Sequence, residues 1–145
     1  MNIQTKYYGM QQIDEQQIIF FSSGLPGFAD DKRFIIQPFG EAFSILQSVD
    51  HPDVAFIITS PFLFFNAYSI HLPDAFVRQL DVRSRQEVSV WVIVSVQDPF
   101  TESTVNLKAP VIINTRKKTG KQYIPDHSPY SLRQRLTDDV AAKRV

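Results

Sequence analysis

Between residues 88 and 96 valine recurs at every second position, Val88, Val90, Val92, Val94 and Val96, with Ser89, Trp91, Ile93 and Ser95 between them. A period of two is that of an extended strand, whose successive side chains point to opposite faces. Both faces here are substantially apolar, so the strand needs cover on both sides and belongs near the centre of a sheet. The composition agrees. Fourteen Ile and 13 Val stand against 8 Leu and 8 Ala, alongside 12 Phe and 5 Tyr, a balance that favours strands over helices. At 145 residues the chain has room for one core.

Other strand signals surround this one. Ile3 to Tyr8, Gln17 to Phe21, Arg33 to Phe39, Phe43 to Val49, Val54 to Thr59 and Ala67 to Leu72 are rich in β-branched and aromatic residues. Gly24-Leu25-Pro26-Gly27-Phe28 is a turn between the second and third runs. Pro110 to Thr115 and Lys121 to Ile124 flank a Lys118-Thr119-Gly120 tip and predict a hairpin. Helical signals are confined to two places. Asp74 can cap a short helix with Phe76, Val77 and Leu80 on one side, and Leu132, Leu136 and Val140 recur at four-residue spacing. Many short strands with nine dispersed Pro and one or two helices predict an all-β domain. A small antiparallel β-barrel is favoured over a sandwich, since closure limits exposed edges. The domain is expected over residues 1–130, with 131–145 a helical, basic C-terminal tail.

The sequence offers little chemistry. Zero Cys removes disulfides, thiolate zinc sites and cysteine nucleophiles. His51, His71 and His127 are scattered; His51 and Asp53 could share a strand face at i, i+2 spacing, although a loop beside Pro52 explains them as well. Neither a Gly-x-Ser-x-Gly elbow nor a His-Glu-x-x-His helix occurs. Gly120-Lys121 looks like the end of a phosphate loop, but Thr115 stands where the first Gly belongs and Gln122 where Ser or Thr should hold magnesium. Asp30 and Asp31 fit a solvated rim. No enzymatic constellation, cofactor site or metal site is expected. The N-terminal residues carry no basic-then-apolar leader, and no run approaches the roughly 18 apolar residues of a membrane span. Neither a signal peptide nor a transmembrane helix is expected.

Charge is balanced overall, 15 cationic against 15 acidic side chains, which argues against generic nucleic-acid coating. It is unevenly placed. Residues 116–145 hold Arg116, Lys117, Lys118, Lys121, Arg133, Arg135, Lys143 and Arg144 against Asp126, Asp138 and Asp139, leaving an acidic body. Such a basic end can steer the chain toward a charged protein or fold back onto its own body. In Pro61-Phe62-Leu63-Phe64-Phe65, neighbouring positions of a strand would point to opposite faces. Either the strand is buried on both faces, or some of these aromatics form a partner-binding patch.

Several ordered pieces carry a resemblance. Gly24-Leu25-Pro26-Gly27-Phe28, Leu46-Gln47-Ser48-Val49, Ala55-Phe56-Ile57, Pro61-Phe62, Val96-Gln97-Asp98-Pro99-Phe100, Thr104 to Asn114 and Gly120-Lys121-Gln122 follow the order seen in the flagellar assembly factor family FliW, which this chain resembles over about residues 1–130. Tyr8 stands where a His is common, Trp91 departs within the valine strand, and residues from about Ser131 carry little of the pattern. The resemblance implies a cytoplasmic bacterial protein with a small antiparallel β-barrel-like fold and no catalysis. It also implies binding to flagellin and to the translational repressor CsrA, so that flagellin production is tied to export. On that reading the partner surface is expected among Phe62, Phe64, Phe65, Asp98, Phe100 and Glu102, aromatic or acidic residues near the family motifs. No direct contact with nucleic acid or membrane is implied. Two other classes fit less well. A small RNA-binding barrel would set Lys or Arg beside its stacking aromatics, which Phe62, Phe64 and Phe65 lack. A small-molecule enzyme would need convergent polar groups, and the sequence nominates none.

Overall fold

The computed structural model describes residues 1–138. Its strands are β1 (Asn2–Thr5), β2 (Gly9–Gln12), β3 (Ile19–Phe20), β4 (Arg33–Phe39), β5 (Phe43–Ser48), β6 (Ala55–Thr59), β7 (Val88–Ser95), β8 (Thr104–Val105), β9 (Val111–Asn114), β10 (Thr119–Gln122) and β11 (Gln134–Arg135), with one α-helix among the described residues, α1 (Asp74–Gln79). Pairing runs β7-β6-β5-β4-β3-β10-β9 and returns from β9 to β7, so the sheet closes on itself as a barrel. All its ladders are antiparallel except β3 with β10, which meet in parallel at Phe20 and Thr119. The expected all-β, barrel-like class is what the chain adopts.

The valine strand is as central as its alternation implies. β7 pairs with β6 on one side; on the other its first half pairs with β9 and its end with β8. Trp91 and Ile93 pack on the barrel interior, which holds Ile19, Phe21, Leu25, Phe34, Leu46, Ile58, Val111 and Ile113. Val92 and Val94 face outward onto a second cluster with Phe65, Tyr68, Val105, Leu107 and Leu136. Val88 and Val90 lie against a third, where α1 brings Phe76 and Leu80 to Ile112. The β1–β2 hairpin packs Ile3 and Ile13 on Ile35 and Val49.

Gly120 marks the tightest point of the barrel. A Cβ built there would lie 2.4 Å from the Phe21 ring, which is fully buried and meets Phe34 edge-on at 5.2 Å. Only glycine lets β10 pass over that ring. This explains a residue whose pairing with Lys121 has the look of phosphate-loop chemistry.

Several local expectations are corrected. Ala67 to Leu72 forms no strand, and Pro61–Leu63 is a turn of 3-10 helix instead of the double-faced strand considered for the Phe run. Pro61 supplies a fixed φ at the first position of that turn. The hairpin tip lies earlier than expected: Lys118 takes φ +56, and Thr119 and Gly120 already belong to β10. Asp74 is the first residue of α1 and not its cap, a position held by Pro73. The helix expected from Leu132, Leu136 and Val140 does not form over 131–138; β11 pairs with β8 there and Leu136 is buried. The tail therefore joins the fold beyond the boundary expected at residue 130, while 139–145 lie outside the described residues.

Asp31 departs most from its expectation. It is 5% exposed. Its Oδ1 accepts from the Ser48 hydroxyl at 2.7 Å and lies 2.6 Å from Nδ1 of His51. The same hydroxyl oxygen accepts the backbone N–H groups of Asp50 and His51, so one carboxylate fastens the turn after Phe28 to the turn after β5. The Asp31 hydrogen bond and charge hold the His51 imidazole above its ordinary pKa, and Asp50 and Asp30 add to this. Asp50 is itself engaged by Arg33, which holds its carboxyl below the usual range.

Two outcomes follow from this packing. Gly120→Ala should destabilise the protein by about 1–3 kcal/mol, the usual range for overpacking a filled core, read as a lower urea midpoint with an unchanged slope. His51→Gln should lower the melting temperature most in mildly acidic solution. A histidine whose folded pKa is raised contributes fully below its unfolded pKa of about 6.5 and loses that contribution as pH rises through the raised value. A difference between the two proteins that is constant from pH 5 to pH 9 would show that the clasp does not depend on the imidazolium.

Candidate partner-binding surface

Phe43 opens β5 and its ring projects from the barrel between two turns. Phe64 follows the Pro61–Leu63 turn and meets the ring of Phe43 at 5.9 Å. Phe100 opens the second turn, Phe100–Glu102, and meets the same ring edge-on at 5.7 Å. Three aromatics from separate stretches of chain thus form a ridge over the cluster that holds Val92 and Val94. Phe100 is 49% exposed, and Phe62 and Leu63 beside the ridge are 48% and 64% exposed. Contiguous exposed apolar surface of this kind is characteristic of a protein contact.

The six residues expected from sequence divide into three groups. Phe62, Phe64 and Phe100 reach this surface. Phe65 does not: at 2% exposure it is a core residue beneath the ridge, and its ring lies 6.3 Å from that of Phe64. Asp98 and Glu102 are exposed on the loop that carries Phe100. Glu102 lies 3.5 Å from the Arg135 guanidinium, a solvent-exposed pair that contributes little to stability. Phe43 was not among the residues expected, although it is the ring that joins the two turns. Its only sequence signal is a place three residues after Gly40, at the hairpin end of β5 where it pairs with Phe39.

Beneath the ridge, the Tyr68 hydroxyl donates to the Leu107 carbonyl oxygen at 2.8 Å, and burial pushes its pKa well above the ordinary phenol value. The Tyr130 ring packs against the Tyr68 ring at 4.6 Å, tilted by 56°, and the Tyr130 hydroxyl oxygen accepts from the backbone N–H of Ser69. These contacts fix the irregular stretch after Phe65. The ridge therefore stands on a rigid base.

Across the molecule, the basic hairpin is tied down. Arg116 bridges Glu87 at 2.9 Å and Asp81 at 3.4 Å, and Lys117 reaches Asp81 at 3.3 Å. Lys117 first and then Arg116 hold the Asp81 carboxyl below its usual range. The Arg83 backbone N–H does the same for Glu87, with Arg116 adding to it. Of the two alternatives left open for the basic end, this part folds onto its own body. Between α1 and the outer face of β7 runs a groove of about 630 Å³, floored by Val88 and Val90, with Phe62 at one lip and Arg83 and Arg85 on its rim. The turns between α1 and β7 that place these arginines carry no motif, so nothing in the sequence singles them out.

Of the scattered histidines, the fold brings two together: His71 and His127 line one small cavity with Tyr68, Tyr123 and Tyr130. His51 serves the clasp on Asp31, His71 borders the groove, and His127 lies on the surface near Tyr130. Among the described residues no group of three His, Asp or Glu side chains is placed to hold a metal ion, and no helix is long and apolar enough to cross a membrane.

Comparison with known proteins points the same way along the whole chain. The family model described as FliW protein matches residues 2–136, which includes β11 and Leu136. The flagellar assembly factor FliW of Anoxybacillus flavithermus is 44% identical over 145 residues, covering 99% of this chain and 100% of that protein. The one from Bacillus subtilis is 43% identical over 133 residues, covering 90% and 93%. A crystal structure of the flagellar assembly factor FliW superposes with a TM-score of 0.92 at 40% identity, covering 95% of this chain and 98% of that one. Barrel, ridge and C-terminal strand all fall within the matched region, and the chain belongs to the FliW family.

Proposed function

We propose that this chain is a cytoplasmic, non-enzymatic regulator of flagellum assembly that binds flagellin and, when flagellin is absent, binds the translational repressor CsrA and relieves its hold on the flagellin message. Family membership over nearly the full length is the observation that carries this reading. The surface is compatible with it. The ridge of exposed Phe100 on half-buried Phe43 and Phe64 offers apolar anchors, and Asp98 and Glu102 on the adjoining loop offer charge complementary to a basic RNA-binding protein. We assign CsrA to this ridge. Among the described residues no Lys or Arg stacks on the rings of the ridge, which disfavours direct RNA binding there.

Two measurements test the assignment. Phe100→Ala should weaken CsrA binding while leaving the melting temperature nearly unchanged, whereas Phe65→Ala should cost about 3–5 kcal/mol of stability as a buried aromatic truncation. If Phe100→Ala leaves CsrA affinity intact, the ridge is not the interface. The association rate with CsrA should also fall as salt rises, because mobile ions screen steering fields over roughly 8–10 Å near physiological ionic strength. The double variant Asp98→Asn, Glu102→Gln should slow association and flatten that response. A rate that ignores salt in the unaltered protein would dismiss the electrostatic part.

A further inference from the structure

Tyr68, Tyr123 and Tyr130 wall a cavity of about 250 Å³ whose lining includes none of Phe43, Phe64 and Phe100. Its three rings are held from behind. The Tyr68 hydroxyl is tied to the Leu107 carbonyl oxygen at 2.8 Å, and the Tyr130 ring packs against Tyr68 at 4.6 Å. Tyr123 meets Phe76 edge-on at 5.1 Å, and its backbone N–H donates to the Pro110 carbonyl oxygen at 2.9 Å. Walls set in advance spare a ligand the cost of ordering them.

Three further side chains give the cavity its sign. His71 comes from the irregular stretch after Tyr68, Lys108 from the turn between β8 and β9, and His127 from the loop before Tyr130. Among the described residues no carboxylate lines the cavity, and Lys108 makes no ion pair. Asp126, the one acid between Tyr123 and Tyr130, is exposed and lies outside the lining. Hydrogen-bonding capacity points the same way. The Ser128 hydroxyl accepts the Tyr130 backbone N–H at 3.1 Å, and the Tyr130 hydroxyl accepts the Ser69 backbone N–H at 3.0 Å, so each keeps its own proton to donate. The Leu107 carbonyl is already engaged by Tyr68. An ammonium, two imidazoles and two hydroxyls are the donors that remain.

Tyrosine rings alone would suit a cation, drawn to their faces. Lys108 without a neighbouring carboxylate reverses that preference, and it disfavours a metal ion between the two imidazoles for the same reason. We propose that this cavity binds a small aromatic anion, one ring bearing a phosphate or a carboxylate, with the ring among the tyrosines and the acid group toward Lys108, His71 and His127. Its volume is below the roughly 300–1,000 Å³ of pockets for drug-sized ligands, which limits the occupant to about one ring. Such a ligand bears on Tyr68 and Tyr130, the pair that supports the ridge, without covering the ridge itself.

The test titrates phenyl phosphate and benzoate into the full chain and follows the amide NMR shifts of Ser69, Lys108, His127 and Tyr130. Benzylamine serves as a cation of similar shape, inorganic phosphate as an anion without a ring, and nickel ion as a ligand for histidine alone. At least one of the two aromatic anions should saturate with a Kd of about 1 mM or tighter, as a fragment-sized ligand can, and the tighter of the two identifies the acid group. Benzylamine and inorganic phosphate should bind about tenfold more weakly or not at all. Lys108→Gln should weaken the anion about tenfold through loss of a charge-assisted contact, at an unchanged melting temperature. His127→Gln, at an exposed position, repeats the test if Lys108→Gln melts early. Absence of saturation by both aromatic anions would overturn the proposal, as would benzylamine binding equally well. Inorganic phosphate binding as tightly as phenyl phosphate would remove the role of the rings. Nickel saturating the same amides more tightly than either anion would make this a metal site instead, and unchanged affinity in both folded variants would place the ligand elsewhere.

Discussion

The barrel closes across the contact between Gly120 and Phe21. Strand β3 has two residues and meets β10 at a single parallel pair, with the Phe20 backbone N–H donating to the Lys118 carbonyl oxygen at 2.8 Å. So short a ladder cannot hold a seam by backbone bonds alone. What holds it is the Phe21 ring, fully buried beneath β10 and packed edge-on against Phe34. Aromatic burial is worth several kcal/mol where it is complete, and here it is complete only because position 120 lacks a side chain. With the seam closed, β9 is brought to β7, and β7 can serve three apolar clusters at once.

From that arrangement the two surfaces follow. The outer face of β7 is divided along its length. Val92 and Val94 are capped by Phe65, Tyr68 and Leu136, and the aromatic ridge stands on that cap. Val88 and Val90 are only partly covered by α1, and the groove is the uncovered remainder. Acidic residues accompany the first surface and arginines the second. A strand apolar on both faces therefore builds the barrel with one face and supports both an aromatic ridge and an apolar groove with the other.

The alternation of β7 made the centre of the fold legible, because a period of two with both faces apolar suits little besides a strand in the middle of a sheet. The paired strands β4, β5 and β6 were legible for a similar reason, being continuous β-branched and aromatic runs between turn residues. The stretch from Pro61 to Leu72 was not. Its apolar content equals that of a strand, but Pro61 starts a helical turn and tertiary contacts of Phe65 and Tyr68 decide the rest. The four-residue spacing of Leu132 and Leu136 misled because 131–138 gains more by pairing with β8 and burying Leu136 than by forming one turn of helix. On the surface, residue type drew attention to Phe62, Phe64 and Phe100, but no local signal separated them from buried Phe65. Asp31 was hidden in the same way, since only the fold brings Ser48 and His51 to it.

The burial of Leu136 also divides the fold into two parts with different requirements. The barrel interior is supplied by residues up to Ile113 and closed by β10, so its packing is complete with residues up to Gln122. The outer cap draws on the segment that follows, Tyr68 on Tyr130, and Val94 and Val105 on Leu136. Loss of the pairing between β8 and β11 would therefore strip the base of the ridge while leaving the barrel interior whole.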